Sequence, residues 1–320
     1  MRSALSIPTL HRRSLGLAGA AVSAAAFAAP ASAIIVDTLG DARPLLTPPS
    51  AVIGAWGSNA SAVAIGPNHI ITTRHQDGPG ENPALRQVVF DGVTYDSVSQ
   101  TLFDPGAGDN WDIRVIEIAQ PGGAPANLTD FVPLYTRSTG ESLVGQRVVL
   151  AGPGVIGVNE SPAGFDWAAG AGTPSNPANN FGINFGENRI DASGTQNAVV
   201  DGFNGGPGFT LDFDSPSTPG ALVYEAAVGP GDSGGALLHF RYDQWWLVGL
   251  PNSVDPATGT QPDAFYGQNL FAFDVTDASF VSQVETAIGG GFSFPVPAPL
   301  PEPASAVALL GLGGLMLRRR

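Results

Sequence analysis

Glycine and proline decide how this chain can fold. There are 42 Gly and 28 Pro in 320 residues, and they break the chain into segments that end before a helix can complete many turns. Between the breaks lie short runs, several rich in Val and Ile, at 51–56, 61–65, 69–73, 87–90, 113–118, 146–151, 244–250 and 270–275. Residues 277–288 form the one fair helical pattern, at the end of the folded part. Residues 152–219 are dense in Gly, Asn, Pro and Ser and read as long loops between strands. No repeat of fixed period is apparent, which argues against a solenoid or propeller. Short strands at this spacing predict an all-β fold, barrels or a sandwich, and periodicity does not choose between them.

Charge and cysteine content narrow the function. All 14 basic residues are Arg, and six of them lie in the terminal segments, leaving eight against 27 acids and a net charge near −19. Such a surface repels phosphate backbones, so no nucleic-acid partner is expected. With no Cys, disulfides, thiolate catalysis and zinc–thiolate sites drop out together. Stability must come from core burial, for which the length suffices.

Both ends read as processing signals. In residues 1–33, Arg12-Arg13 precedes an apolar stretch and then Ala31-Ser32-Ala33, a small-x-small cleavage pattern of an export signal peptide. The paired Arg resembles a twin-arginine signal and also occurs in ordinary secretory signals. At the other end, Pro301-Glu302-Pro303 is followed by 14 apolar or small residues and then Arg318-Arg319-Arg320. As a helix that span rises about 21 Å, short of a bilayer core of about 30 Å. The combination resembles the PEP-CTERM sorting tail of Gram-negative bacteria. It implies an exosortase-type sorting enzyme as a partner and a protein that is secreted or attached to the cell surface.

The strongest chemical signal is Gly229-Pro230-Gly231-Asp232-Ser233-Gly234-Gly235. A nucleophilic serine needs exposure on a tight turn, a base, and donors for an oxyanion. Glycines on both sides permit the turn, and the amides of Gly231 and Ser233 can then point together as an oxyanion hole. A Gly/Ser/Asp cluster is equally the composition of a surface turn, so a base is required. Outside the terminal segments there are three histidines. His239 follows Ala236-Leu237-Leu238 in a strand, and His69 opens the 69–73 run. His75 stands where that β-branched run gives way to a loop, which fixes a base yet leaves it facing a cleft. Asp112, after Asn110-Trp111 and before the 113–118 run, is the acid best placed to orient it, with Asp109 as its rival.

The order His75, Asp112, Ser233 resembles that of the trypsin/chymotrypsin-like serine proteases. Residues 65–75 are similar to that family's strand-to-histidine segment, Asn110-Trp111-Asp112-Ile113 to its Asn-x-Asp-Ile box, and Gly231 to Gly235 to its Gly-Asp-Ser-Gly-Gly segment. Trp246-Leu247-Val248-Gly249-Leu250 resembles the strand that lines its cleft. The resemblance implies two packed six-stranded antiparallel β-barrels, at 34–135 and 136–290, with a short C-terminal helix, a linker at 291–300 and the tail at 301–320. It implies an endopeptidase acting on protein or peptide through His75, Asp112 and Ser233, without cofactor or metal.

Departures from the family pattern carry expectations of their own. Arg74 replaces a small residue before the histidine, and the loops must be supported without disulfides. The base of the primary specificity pocket falls at Ala227, which favours small or apolar side chains, while Glu225, one or two residues out of register, would reverse that preference. Asp232 pairs with an Ile34 amine freed by signal cleavage, with Arg137 or Arg147, or caps its own turn. Asp212-Phe213-Asp214 matches no dedicated calcium loop. Two non-enzymatic readings remain: a silent relative serving as a surface or matrix binding protein, and a β-sandwich adhesin.

Overall fold

The computed structural model describes residues 31–32, 34–36, 47–57, 60–77, 86–103, 111–155, 157–167, 181–200 and 203–289. The segments read above as a sorting tail, a linker and most of an export signal lie outside them. Strands dominate. Six of them, Ile53–Trp56, Ala60–Gly66, His69–Thr72, Gln87–Phe90, Val93–Leu102 and Arg114–Ala119, close an antiparallel barrel.

Side-chain size explains how the barrel fills. Every residue of Ala60–Gly66 is buried, and its run is accordingly small and apolar rather than alternating. The Gln87–Phe90 strand alternates instead, exposing Gln87 and Val89 and burying Val88 and Phe90. Phe90 and Val88 press on Gly54 so closely that a Cβ there would lie 2.7 Å from the Phe90 ring. The barrel interior is thus packed against a residue with no side chain.

The second half is built on a seven-stranded antiparallel sheet. Its spatial order is Asn184–Arg189, Arg147–Gly152, Ala236–Arg241, Gln244–Val254, Asn269–Asp274, Phe203–Asp212 and Ala192–Val200. A second six-stranded barrel is therefore not shown. The sheet curls nonetheless: beside its first strand Ile190 N–H donates to Gln146 O, while the next amide, Asp191, donates to Thr210 O near the opposite edge. Three of its strands lie in the region that reads as loops, and they form because tertiary pairing outweighs the poor strand propensity of Gly and Asn.

Two cores flank this sheet, and strand alternation divides the residues between them. Val149, Ala151, Ala236, Leu238, Leu247 and Phe273 face the barrel, whereas Val148, Leu150, Leu237, Trp246 and Val248 face the other side. The chain crosses between the halves at 132–135, where Val132 N–H donates to Ala64 O and Tyr135 N–H to Leu247 O. Ile35–Val36 pairs with Ala226–Ala227, so this N-terminal segment belongs with the second half. The helix runs Ala278–Ala287, capped by the Asp277 carboxylate on the Ser279 and Phe280 amides. Phe280 packs at 5.0 Å from Phe103 and 5.6 Å from Phe273, tying the halves together.

Candidate active site

His75, Asp112 and Ser233 meet where the barrel abuts the curled sheet. His75 begins a single 3-10 turn three residues past the end of the His69–Thr72 strand. Asp112 enters the Arg114–Ala119 strand paired beside it, and Ser233 sits on the turn before Ala236–Arg241. Asp112 is fully buried. Its Oδ2 accepts the His75 Nδ1–H at 2.6 Å, and its Oδ1 accepts the backbone amides of Arg74 and His75, each at 2.8 Å. A carboxylate only accepts, so this contact puts the imidazole proton on Nδ1 and leaves a lone pair on Nε2. Ser233 Oγ–H points at that lone pair across 3.1 Å.

The serine turn offers two free donors. Gly231 has φ +96, a left-handed backbone that needs glycine. Among the described residues, no acceptor takes the amide of Gly231 or of Ser233, while the neighbouring groups are engaged. Asp232 N–H donates to Gly229 O, Gly234 N–H to Pro251 O, and Val155 N–H to Pro230 O. Two donors left open beside a serine can stabilise an oxyanion, worth roughly 3 kcal/mol for one donor in comparable sites.

Hydrogen bonds supply the support that disulfides would otherwise give. Ser61, fully buried, donates its amide to Ser233 O at 2.9 Å and its hydroxyl to Gly231 O at 2.6 Å. Thr72 Oγ1–H in turn donates to Ser61 O at 2.6 Å. The barrel thus grips the serine turn through one small side chain, which the sequence hides inside an Ala-rich run. On the histidine side, Arg86 donates to Gln76 O at 3.2 Å. Arg74 donates to Trp111 O at 3.0 Å and stacks over Phe203 at 4.6 Å. Its guanidinium therefore braces the Asp112 loop against the Phe203–Asp212 strand.

Of the alternatives for Asp232, the structure places the carboxylate on its own turn. It accepts the Gly229 amide at 2.9 Å and the Gly154 amide at 2.8 Å, and burial pushes its pKa well above the usual range. Arg137 pairs with Asp274 at 3.0 Å and Arg147 with Glu187, so neither serves Asp232. Ile34 is buried in the second core, where the Asn184 side chain donates to its carbonyl.

A pocket of about 130 Å³ opens beside Ser233, walled by Trp167, Val228, Pro251, Asn252, Ser253 and Val254. Among the described residues, none that is charged lines it. Ala227 is not among its lining residues: it packs in the second core, as does the next residue, Val228, which also reaches the pocket wall.

Glu225 lies away from the pocket, its carboxylate accepting the Leu222 amide at 2.8 Å. Burial, with repulsion from Asp214, Asp212 and Asp191, pushes it up to about 8 from 4.5. Between those values the unfolded chain holds fewer protons than the folded one, so stability falls as pH rises through the window. Glu225→Gln should therefore raise the melting temperature near pH 9, by on the order of a few kcal/mol of stability, and leave it unchanged near pH 5. Thermal melts at the two pH values check this; equal effects at both would locate the burial cost elsewhere.

The remaining histidines serve the scaffold. His239 Nδ1 bonds Arg147 O at 3.0 Å, and His69 pairs with Glu117 in the barrel ladder; burial lowers the pKa of each. Among the described residues, no cluster of acids and histidines is arranged to hold a metal. A scan of family models finds no match to this chain, and a search of curated proteins finds none either.

Proposed function

We propose that the protein is a serine endopeptidase of the trypsin/chymotrypsin type, with Ser233 as nucleophile, His75 as base and Asp112 as its orienting acid. The observation that carries this reading is the continuous relay from Asp112 Oδ2 through both ring nitrogens of His75 to Ser233 Oγ. It joins residues from the two halves of the chain. The curl of the seven-stranded sheet supports reading it as the counterpart of the closed barrel.

In the proposed reaction Ser233 Oγ attacks a peptide carbonyl as its proton passes to His75 Nε2. The buried Asp112 carboxylate stabilises the imidazolium, and the open amides of Gly231 and Ser233 receive the oxyanion. His75 then protonates the leaving amine, and water, activated by the same ring, hydrolyses the acyl-enzyme. The uncharged pocket beside Ser233 suits a small or medium apolar side chain before the cleaved bond, consistent with a wall of Val228 and Val254. The proposal extends to an exported, surface-attached or secreted protein whose tail is processed by a sorting enzyme.

A fluorophosphonate probe tests the chemistry. Incubation followed by peptide mass mapping should place the phosphonate on Ser233 alone. Absence of modification in folded protein, or modification spread over other hydroxyls, would return the fold to the silent-relative reading.

A further inference from the structure

The base at the centre of this site is already occupied. Gln76 Nε2 lies 2.7 Å from His75 Nε2, closer than Ser233 Oγ at 3.1 Å. With the ring proton held on Nδ1 by Asp112, Nε2 has a single lone pair, and two donors reach for it. The Gln76 amide is not there by accident of a loose side chain. Its carbonyl accepts the Thr73 hydroxyl at 2.6 Å, and its backbone oxygen accepts from Arg86 at 3.2 Å. Thr73 is fully buried, so the hydroxyl that aims the amide is itself fixed.

We propose that Gln76 is a built-in brake on the catalytic base, its side-chain amide competing with Ser233 for the lone pair of His75. The inference rests on the nucleophilic reading of Ser233. Proton transfer from Ser233 requires the full lone pair at Nε2, so the Gln76 N–H must withdraw before the serine is activated. Once Nε2 carries the proton, an amide N–H opposite it is repelled. Gln76 touches a reacting atom and belongs among the catalytic residues; Thr73 acts through it and is a positioning residue.

The test reads the rate at which a fluorophosphonate modifies the protein. In that reaction Ser233 Oγ bonds to phosphorus, the P–F bond breaks, fluoride leaves, and the serine proton moves to His75 Nε2. Gln76→Met keeps length and removes the donor, and its labelling rate should rise roughly three- to tenfold, the factor that one net hydrogen bond represents. Gln76→Asn, too short to reach Nε2, should give the same rise. Thr73→Val, which frees the Gln76 amide without deleting it, should give a smaller one. A merely structural role would slow labelling or leave it unchanged. Equal or slower labelling in folded Gln76→Met and Gln76→Asn would overturn the brake while leaving the serine reading intact. Failure of the wild type and all three variants to label would overturn both. Thermal melts of each variant identify any that does not fold, and the other glutamine substitution then decides.

Discussion

Asp112→Asn should cut turnover by about 10⁴-fold while leaving the fold in place, the scale seen when an orienting acid becomes an amide. The structure gives the reason in advance. One oxygen of Asp112 is committed to two backbone amides, those of Arg74 and His75. An asparagine must keep its only oxygen there, because its NH₂ group cannot accept from them. That choice turns the NH₂ toward His75 Nδ1, which becomes the acceptor, and the ring proton moves to Nε2. The base then confronts Ser233 with a proton instead of a lone pair. Single-turnover labelling or peptide hydrolysis measures the loss, and a thermal melt close to that of the wild type shows that the loop survives. Retention of more than about a tenth of the rate would mean that His75 is not oriented by this contact.

Gly234→Ala should be strongly damaging for a single added methyl. Gly234 has φ +79, and a Cβ there would press on Thr72 Oγ1 and lie 2.5 Å from Ser61 O and 3.0 Å from the Thr73 nitrogen. None of these atoms can retreat cheaply. Thr72 Oγ1 donates to Ser61 O, while Ser61 holds both Gly231 and Ser233. Backbone strain and overpacking together should lower stability by on the order of 4 kcal/mol or more, a size reserved for a few mechanisms of which these are two. Denaturant midpoints measure it; a change under about 1 kcal/mol would show that the junction between barrel and serine turn yields freely.

Some of this could be read without coordinates, and the physical reasons are uneven. Ser233, His75 and Asp112 stand out because each sits beside glycines or at the end of an apolar run, positions that leave a local mark. The capped helix was legible for the same reason, since Asp277 and the apolar spacing of Phe280, Val281 and Val284 are neighbours in sequence. The Val93–Leu102 strand was not, because its polar, solvent-facing residues break the pattern that buried strands display. The Phe203–Asp212 strand was hidden by its glycines, although Phe203, Phe209 and Leu211 anchor it in buried positions. Ser61 and Gln76 escaped notice for a different cause. Their importance lies in what the other half of the chain, or a side chain folding back, places against them, and no local composition records that. Ala227 differs again: it lies one residue from Val228, which lines the pocket, and a count along the sequence does not resolve neighbours.

The hydroxyl of Ser61 and the oxygen it grips are 170 positions apart along the chain, and His75 and Ser233 are 158 apart. Contacts of such separation form late, since the intervening chain must first be brought to order. A polypeptide emerging from the ribosome therefore has the barrel residues, His75 and Asp112 among them, available long before Ser233 is made. If Ser233 is the proposed nucleophile, strand content should appear first in refolding and fluorophosphonate reactivity last, when both halves are folded and docked. On the proposed reading the chain would be chemically harmless for most of its own assembly, and the labelling of Ser233 would report that assembly is complete.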